Sequence, residues 1–376
     1  MTALPIHEVE SLNLTIAGIP IPLARIEAYL KKLFKTDDLK VFDIRLLGSG
    51  WHAEAWIIDL RVKGERKRLV LKFLKGEKGF GHDYPADRAQ VLLMAHKDFN
   101  KMKGHVRSVD VGYISRDGEL ISAGNYEEFF ILMEEAKGTP YIEDLQAILK
   151  RGHLTDKDLK RMGILVEFLV ELHQMKFTGS IEDRARLYLR RVRDLVGHGE
   201  MIFGVVDSAY PLGGEYDVKL KEIEKLALEW RWKLRTKHHR LAQVHGDYHP
   251  FNIRFTENDE LVLMDRSRGE WGEPADDVSC LTINYLWHAL LHRSGFEGPF
   301  KDLFIRFIEL YLEMTNDEEL LKVIQPWYAF RSIVIASPLF YPENPPVVRT
   351  KLLNFAKNIL QTEIFEPKEV DDLLRD

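Results

Sequence analysis

The sequence predicts an α+β chain in two parts, an antiparallel sheet followed by a mainly helical region. Short apolar, β-branched runs cluster before residue 135, whereas apolar residues recur at helical spacing after residue 155. At 376 residues the chain can also build two cores of ordinary domain size. The expected divisions are an N-terminal extension (1–40), a sheet-bearing part (41–135) and a helical part (136–376).

Residues 20–34 read as an amphipathic helix with Leu23, Ile26, Leu30 and Leu33 on one stripe. Residues 43–60 read as two strands joined by Gly48-Ser49-Gly50-Trp51-His52. Such a turn lets backbone N–H groups approach phosphate oxygens with no Cβ in the way, although it is also an ordinary hairpin turn. The strand at 68–74 is apolar except for Lys72, a cation that needs an anionic partner unless it lies at an edge facing water. A nucleotide phosphate would serve, and Lys75 is the alternative. A helix follows at 85–101, with Pro85 in its first turn and Val91, Leu92, Ala95 and Phe99 as its inward stripe. Strands at 109–114 and 129–133, with a turn at Arg116-Asp117-Gly118 after the first, complete the sheet.

Glu134-Glu135-Ala136-Lys137-Gly138 reads as a linker. Thr155 with Asp158 forms a capping box that opens a helix through His173, with Leu159, Met162, Val166 and Leu169 inward. Helices at 183–200 and 216–240 follow. The second ends in five basic residues interleaved with His238 and His239, read as a solvated face. The His pair has no Cys or carboxylate partner at zinc spacing. From Tyr285 onward the helices are rich in aromatics (Trp287, Phe304, Phe307, Tyr311, Trp327, Tyr328, Phe330), and Asn316 with Glu319 is expected to cap one of them. Aromatic residues of this kind either fill a core or hold a quaternary amine by cation–π contact.

The chemistry concentrates in His245-Gly246-Asp247-Tyr248-His249-Pro250-Phe251-Asn252, with Asp265 thirteen positions after Asn252. Residues 253–255 and 261–264 are short apolar runs around the polar Thr256-Glu257-Asn258-Asp259-Glu260, which predicts a hairpin. That hairpin brings Asn252 and Asp265 to one open end, where an amide and a carboxylate oxygen suit Mg²⁺. Asp247 is then placed to orient or deprotonate an incoming hydroxyl, and the set of parts is that of phosphoryl transfer.

His245, Gly246, Asp247, His249, Pro250 and Asn252 match a His-Gly-Asp, x, His-Pro, x, Asn pattern. Asp265 is followed by Gly272-Glu273-Pro274-Ala275-Asp276-Asp277. On both motifs the chain resembles the aminoglycoside phosphotransferase and choline kinase-like family. The resemblance implies a bilobal protein-kinase-like fold and an ATP-dependent kinase, GTP being the alternative donor, acting on a hydroxyl of a small molecule. It implies that Gly48, Ser49, Gly50 and Lys72 grip the phosphates and that the main chain from Glu134 to Ala136 meets adenine. Asn252 and Asp265 would hold Mg²⁺, Asp247 would be catalytic with His245 supporting the loop (245–265), Asp277 would order that loop, and residues 285–376 would wall the acceptor pocket. One departure stands out: where relatives carry a helix Glu to pair with the lysine, this chain offers Asp87. After Asp265 the chain has Arg266-Ser267 where relatives often carry a second acid or an aromatic, which argues against a second metal contact at Ser267. The missing Glu keeps open a nucleotide-binding pseudokinase. A protein kinase is disfavoured because only eleven positions, 266–276, separate Asp265 from Asp277.

A net charge of −6 argues against a nucleic-acid binder, and one Cys rules out a disulfide framework. No apolar run reaches the roughly 18 residues a bilayer requires, so a soluble, cytoplasmic protein with a small-molecule partner is expected.

Overall fold

The computed structural model describes residues 14–16, 19–49, 53–76, 82–101, 106–128, 133–266, 268–293 and 295–376. The chain divides into two compact units, Met1–Leu132 and Met133–Asp376.

The first unit is built on a three-stranded antiparallel sheet, Leu39–Ser49, Ala53–Val62 and Glu65–Leu74, with the middle segment in the centre. Its inner face carries Val41, Ile44, Ile58 and Leu60, against which Ile26 and Leu30 of the helix Leu23–Phe34 are buried. That helix starts three residues later than expected. Pro22 lacks an N–H and sits as its N-cap, while Ile19–Ile21 pairs with Leu14–Ile16 as a small hairpin.

The helix Pro85–Phe99 is opened by Asp87, whose carboxylate accepts the Tyr84 N–H at 2.8 Å. Here the expected inward stripe needs correcting. Val91 and Phe99 are exposed, and the half-buried side is Leu92, Leu93, Ala95 and His96. The rotation has visible anchors, since Tyr126 Oη donates to the Leu93 carbonyl and His96 Nδ1 bonds Ser108 Oγ. The strand expected at 109–114 shortens to Gly112–Ile114, which pairs with Leu120–Ser122 in a sheet separate from the three-stranded one. Of the strand expected at 129–133, residues 129–132 lie outside the described residues and Met133 belongs to no strand.

The second unit is mainly helical. A helix not anticipated from sequence, Tyr141–Arg151, buries Tyr141, Ile142, Leu145 and Ile148, and Gly152 closes it at φ 76°. The capping box forms as expected, with the Thr155 N–H donating to Asp158 at 2.7 Å ahead of the helix Asp156–Gln174. The basic run 231–240 is not one solvated face. Its helix, Asp217–Leu234, ends first, and Arg240 in the following turn is buried against Glu273 and Asp317. A buried guanidinium demands such partners. Asn316 likewise ends the helix Pro299–Thr315 at φ 53° instead of starting one, a conformation Asn tolerates well. Phe304, Phe307, Tyr311, Trp327 and Tyr328 are core residues, and Trp287 packs on Tyr341 and His288. Among the described residues no helix is long and apolar enough to cross a membrane.

Candidate active site

The catalytic hairpin forms in the register its sequence predicts. Ile253–Phe255 pairs antiparallel with Leu261–Leu263, and Asp259 turns the loop at φ 62°. A third strand, Thr139–Pro140, joins from just after the linker, so the sheet runs 261–263, 253–255, 139–140. Gly138 is required there: at φ 94°, a Cβ would lie 2.5 Å from the Phe255 carbonyl oxygen. Glu134 is exposed and Ala136 half-buried, in no regular element.

The Met264 N–H donates to the Asn252 carbonyl at 3.0 Å, which seats Asn252 beside the residue preceding Asp265. Asn252 Nδ2 donates to the Asp247 carbonyl at 3.1 Å, so its Oδ1 is the atom left for a cation. Asp265 adopts φ 58°, a left-handed conformation costing about 1–3 kcal/mol that clusters at functional sites. Among the described residues no three His, Cys, Asp or Glu are grouped to cage a metal. The amide oxygen of Asn252 and the carboxylate of Asp265 are donors of the kind Mg²⁺ takes, water and phosphate completing its shell.

The loop itself is suspended from buried groups. Asp277, fully buried, accepts the His245 and Gly246 N–H groups, each at 2.7 Å, and contacts His173 Nε2 at 3.1 Å. Burial opposes its charge, yet those bonds hold its carboxyl below the usual carboxylate range. His173 is fixed in turn by Tyr311 Oη at 2.8 Å. Gly246 turns the chain at φ 83°. His245 is buried, and its Nδ1 accepts the Asp247 N–H at 3.3 Å.

Asp247 is where two guanidiniums meet. Its Oδ1 is 2.7 Å from Arg331 Nη1 and 2.6 Å from Arg268 Nη1. Arg331 also donates to the Gly246 carbonyl at 3.0 Å and to the buried Asp276 at 2.6 Å. Burial works against charge on Asp247, but Arg331 and then Arg268 offset it and hold the carboxyl well below its ordinary range. Asp247 Oδ2 faces His249 Nε2 at 3.6 Å. Burial pushes the His249 imidazole down to about 4, against the pull of Asp247.

Asp247, His249, Asp265, Arg268 and Arg331 line one cavity of about 370 Å³, and Phe330 and Tyr341 come to it from the tail. Neither His245 nor Asn252 lines it. Arg331, Arg268 and Asp276 were not anticipated from sequence. The available signal was a single charge within the apolar helix Gln325–Ala336, where a guanidinium must find a buried partner.

In the first unit the register aligns Gly48, Ala55 and Lys72 in one row across the sheet. Lys72 is exposed on that row, while Leu71 and Phe73 pack toward the core. Ser49 Oγ accepts from Lys75 Nζ at 2.6 Å. Gly50, and the Ser267 considered for a second metal contact, lie outside the described residues. Among the described residues no ion pair joins Asp87 to Lys72, since Asp87 caps its own helix.

The profile of the phosphotransferase enzyme family matches residues 43–298. No curated protein matches the chain. Solved structures similar to it include an ADP-bound aminoglycoside phosphotransferase, APH(2'')-Ib, at 15% identity and TM-score 0.33, covering 90% of this chain and 99% of that one. The ethanolamine kinase of Plasmodium vivax is 15% identical at TM-score 0.35, covering 92% of this chain and 84% of that one. An amicoumacin kinase in complex with AMP-PNP, Ca²⁺ and Ami is 15% identical at TM-score 0.41, covering 92% of this chain and 98% of that one. With the family profile spanning well over half of its length, the chain, an α+β protein, belongs to the phosphotransferase enzyme family.

Proposed function

We propose that the chain transfers the γ-phosphoryl group of ATP to a hydroxyl of a small molecule. The observation that carries this reading is Asp247, which lines the same cavity as Asp265 with Asn252 tied to its own carbonyl. Asn252 and Asp265 hold Mg²⁺, and that ion, when bound, neutralises charge on the transferring phosphates. Asp247 acts mainly as a fixed anion that orients the attacking hydroxyl. A carboxylate held so far below its usual range is a weak proton acceptor, so positioning carries the rate. His245 supports the loop. In the first unit Gly48, Ser49 and Gly50 with Lys72 grip the phosphates, and the main chain from Glu134 to Ala136 meets the base, with GTP as the alternative donor. Residues 41–135 then form the nucleotide-binding lobe and 136–376 the catalytic one. The single buried Cys280 suits a reducing, cytoplasmic setting.

The test is a screen of small hydroxyl compounds with Mg-ATP, read as ADP release and phosphorylated product. Activity in the wild type that is lost in Asp247→Ala supports the proposal. The second reading, a nucleotide-binding sensor, is favoured by Asp87 capping its helix instead of pairing with Lys72. It predicts nucleotide binding without turnover in the wild type.

A further inference from the structure

The phosphotransferase reading leaves the acceptor's chemistry open, and the lining of the 370 Å³ cavity bears on it directly. The geometry points to an acceptor that carries no cationic group: an uncharged or acidic alcohol with an apolar body. This inference rests on the proposed phosphoryl transfer to a hydroxyl at Asp247.

Of the charged described residues lining the cavity, the carboxylates Glu200 and Asp247 are matched by the guanidiniums Arg268 and Arg331. Glu200 is 3.1 Å from Arg268 Nε, and Asp247 Oδ1 is shared by both arginines. The remaining carboxylate, Asp265, is assigned to the divalent ion. Among the described lining residues no carboxylate is therefore left over to receive an ammonium. Arg331, 94% buried by its 6% exposure, keeps an Nε that finds no hydrogen-bond partner. Guanidinium stays charged at any working pH, so Arg331 contributes a fixed positive charge to the lining.

The rest of the wall is largely hydrocarbon, from Val205, Ile283, Phe330, Val334, Ile335 and Phe340. An ammonium entering here would lose hydration and find the described lining acids other than Asp265 already paired with guanidiniums. Cation–π capture offers no substitute. Most of the tail aromatics once considered for it are buried core, and the guanidinium of Arg331 itself lies 4.7 Å from the Phe330 ring centre. The cavity's volume lies toward the small end of ligand pockets, which also suits a compact acceptor.

The experiment compares alcohols matched in size and differing in charge: ethanolamine, ethylene glycol and glycolate, then glucosamine, glucose and gluconate. Each is assayed with the full-length protein and Mg-ATP for ADP release above the acceptor-free rate. Each is also assayed with Mg-ADP for the concentration giving half-maximal thermal stabilisation. In any series with turnover, kcat/KM for the amine at least tenfold below that of the better of its two partners supports the inference. An amine equal to or better than its partners overturns it, as does any gap under tenfold. If no acceptor is turned over, phosphoryl transfer to such alcohols fails as a reading, and the thermal midpoints decide the charge preference separately. The amine binding weakest then supports the inference; the amine binding as tightly as its partners, or no member binding, overturns it.

Discussion

Two regions proposed to serve one reaction are built in opposite ways. Around Asp247 the loop is held from within: Asp277 holds it by two N–H groups, and Arg331 reaches three acceptors from inside the protein. In the first unit Lys72 is exposed, and the only described contact of the glycine turn's side chains is Ser49 with Lys75. The difference matches what each region would have to do. A hydroxyl must be aimed to within fractions of an ångström, and misplacement by about 1 Å can cost 10²-fold. A triphosphate brings its own charge and is gripped by donors that settle on it.

If that contrast is right, substitutions in the two regions should separate into losses of rate and losses of nucleotide affinity. The largest effect is expected at Asp247→Ala, with kcat falling roughly 10²–10⁴-fold while the nucleotide Kd holds. Arg331→Met should come next. It leaves Asp276 buried without its cation, so denaturant melts should show a loss of about 3–5 kcal/mol together with reduced kcat. Asp277→Asn keeps the shape but removes an acceptor from one of two buried loop N–H groups, for about 1–3 kcal/mol.

That last variant also carries a pH signature. Because the folded pKa of Asp277 is depressed, its stabilising contribution is present above the unfolded value of about 3.9 and is lost as pH falls through the folded one. Melting temperatures of the wild type and Asp277→Asn should therefore converge as pH is lowered from 5 toward 3. The smallest structural effect is expected at Lys72→Met. Stability should move by less than about 0.5 kcal/mol, while loss of a charge-assisted phosphate contact raises the nucleotide KM roughly tenfold or more. A Lys72→Met variant that lost kcat and stability together would erase the contrast.

Much of the catalytic hairpin was legible because its signals are local. The apolar runs, the polar turn and the adjacent His-Gly-Asp and Asn all lie within about twenty residues, and turn chemistry fixes the register. Arg331 was not legible, because it meets Asp247 across 84 positions and no spacing rule links them. Arg240 was misread for the same reason, since Glu273 and Asp317, which bury it, lie far along the chain. Asn316 illustrates a different failure: the residue type marks a helix end, but it serves both ends, and here the left-handed backbone decides. The helix Tyr141–Arg151 was passed over, although Tyr141, Ile142, Leu145 and Ile148 carry its stripe openly.

The central proposition is that Asn252 and Asp265, joined at one end of a hairpin, serve the same divalent ion beside Asp247. The most direct measurement is the Mg²⁺ concentration giving half-maximal phosphoryl transfer in the wild type, Asn252→Ala and Asp265→Ala. Both substitutions should raise it at least about tenfold, Asp265→Ala more, since a carboxylate binds the ion more strongly than an amide. A Mg²⁺ requirement unchanged in either variant would contradict the shared site.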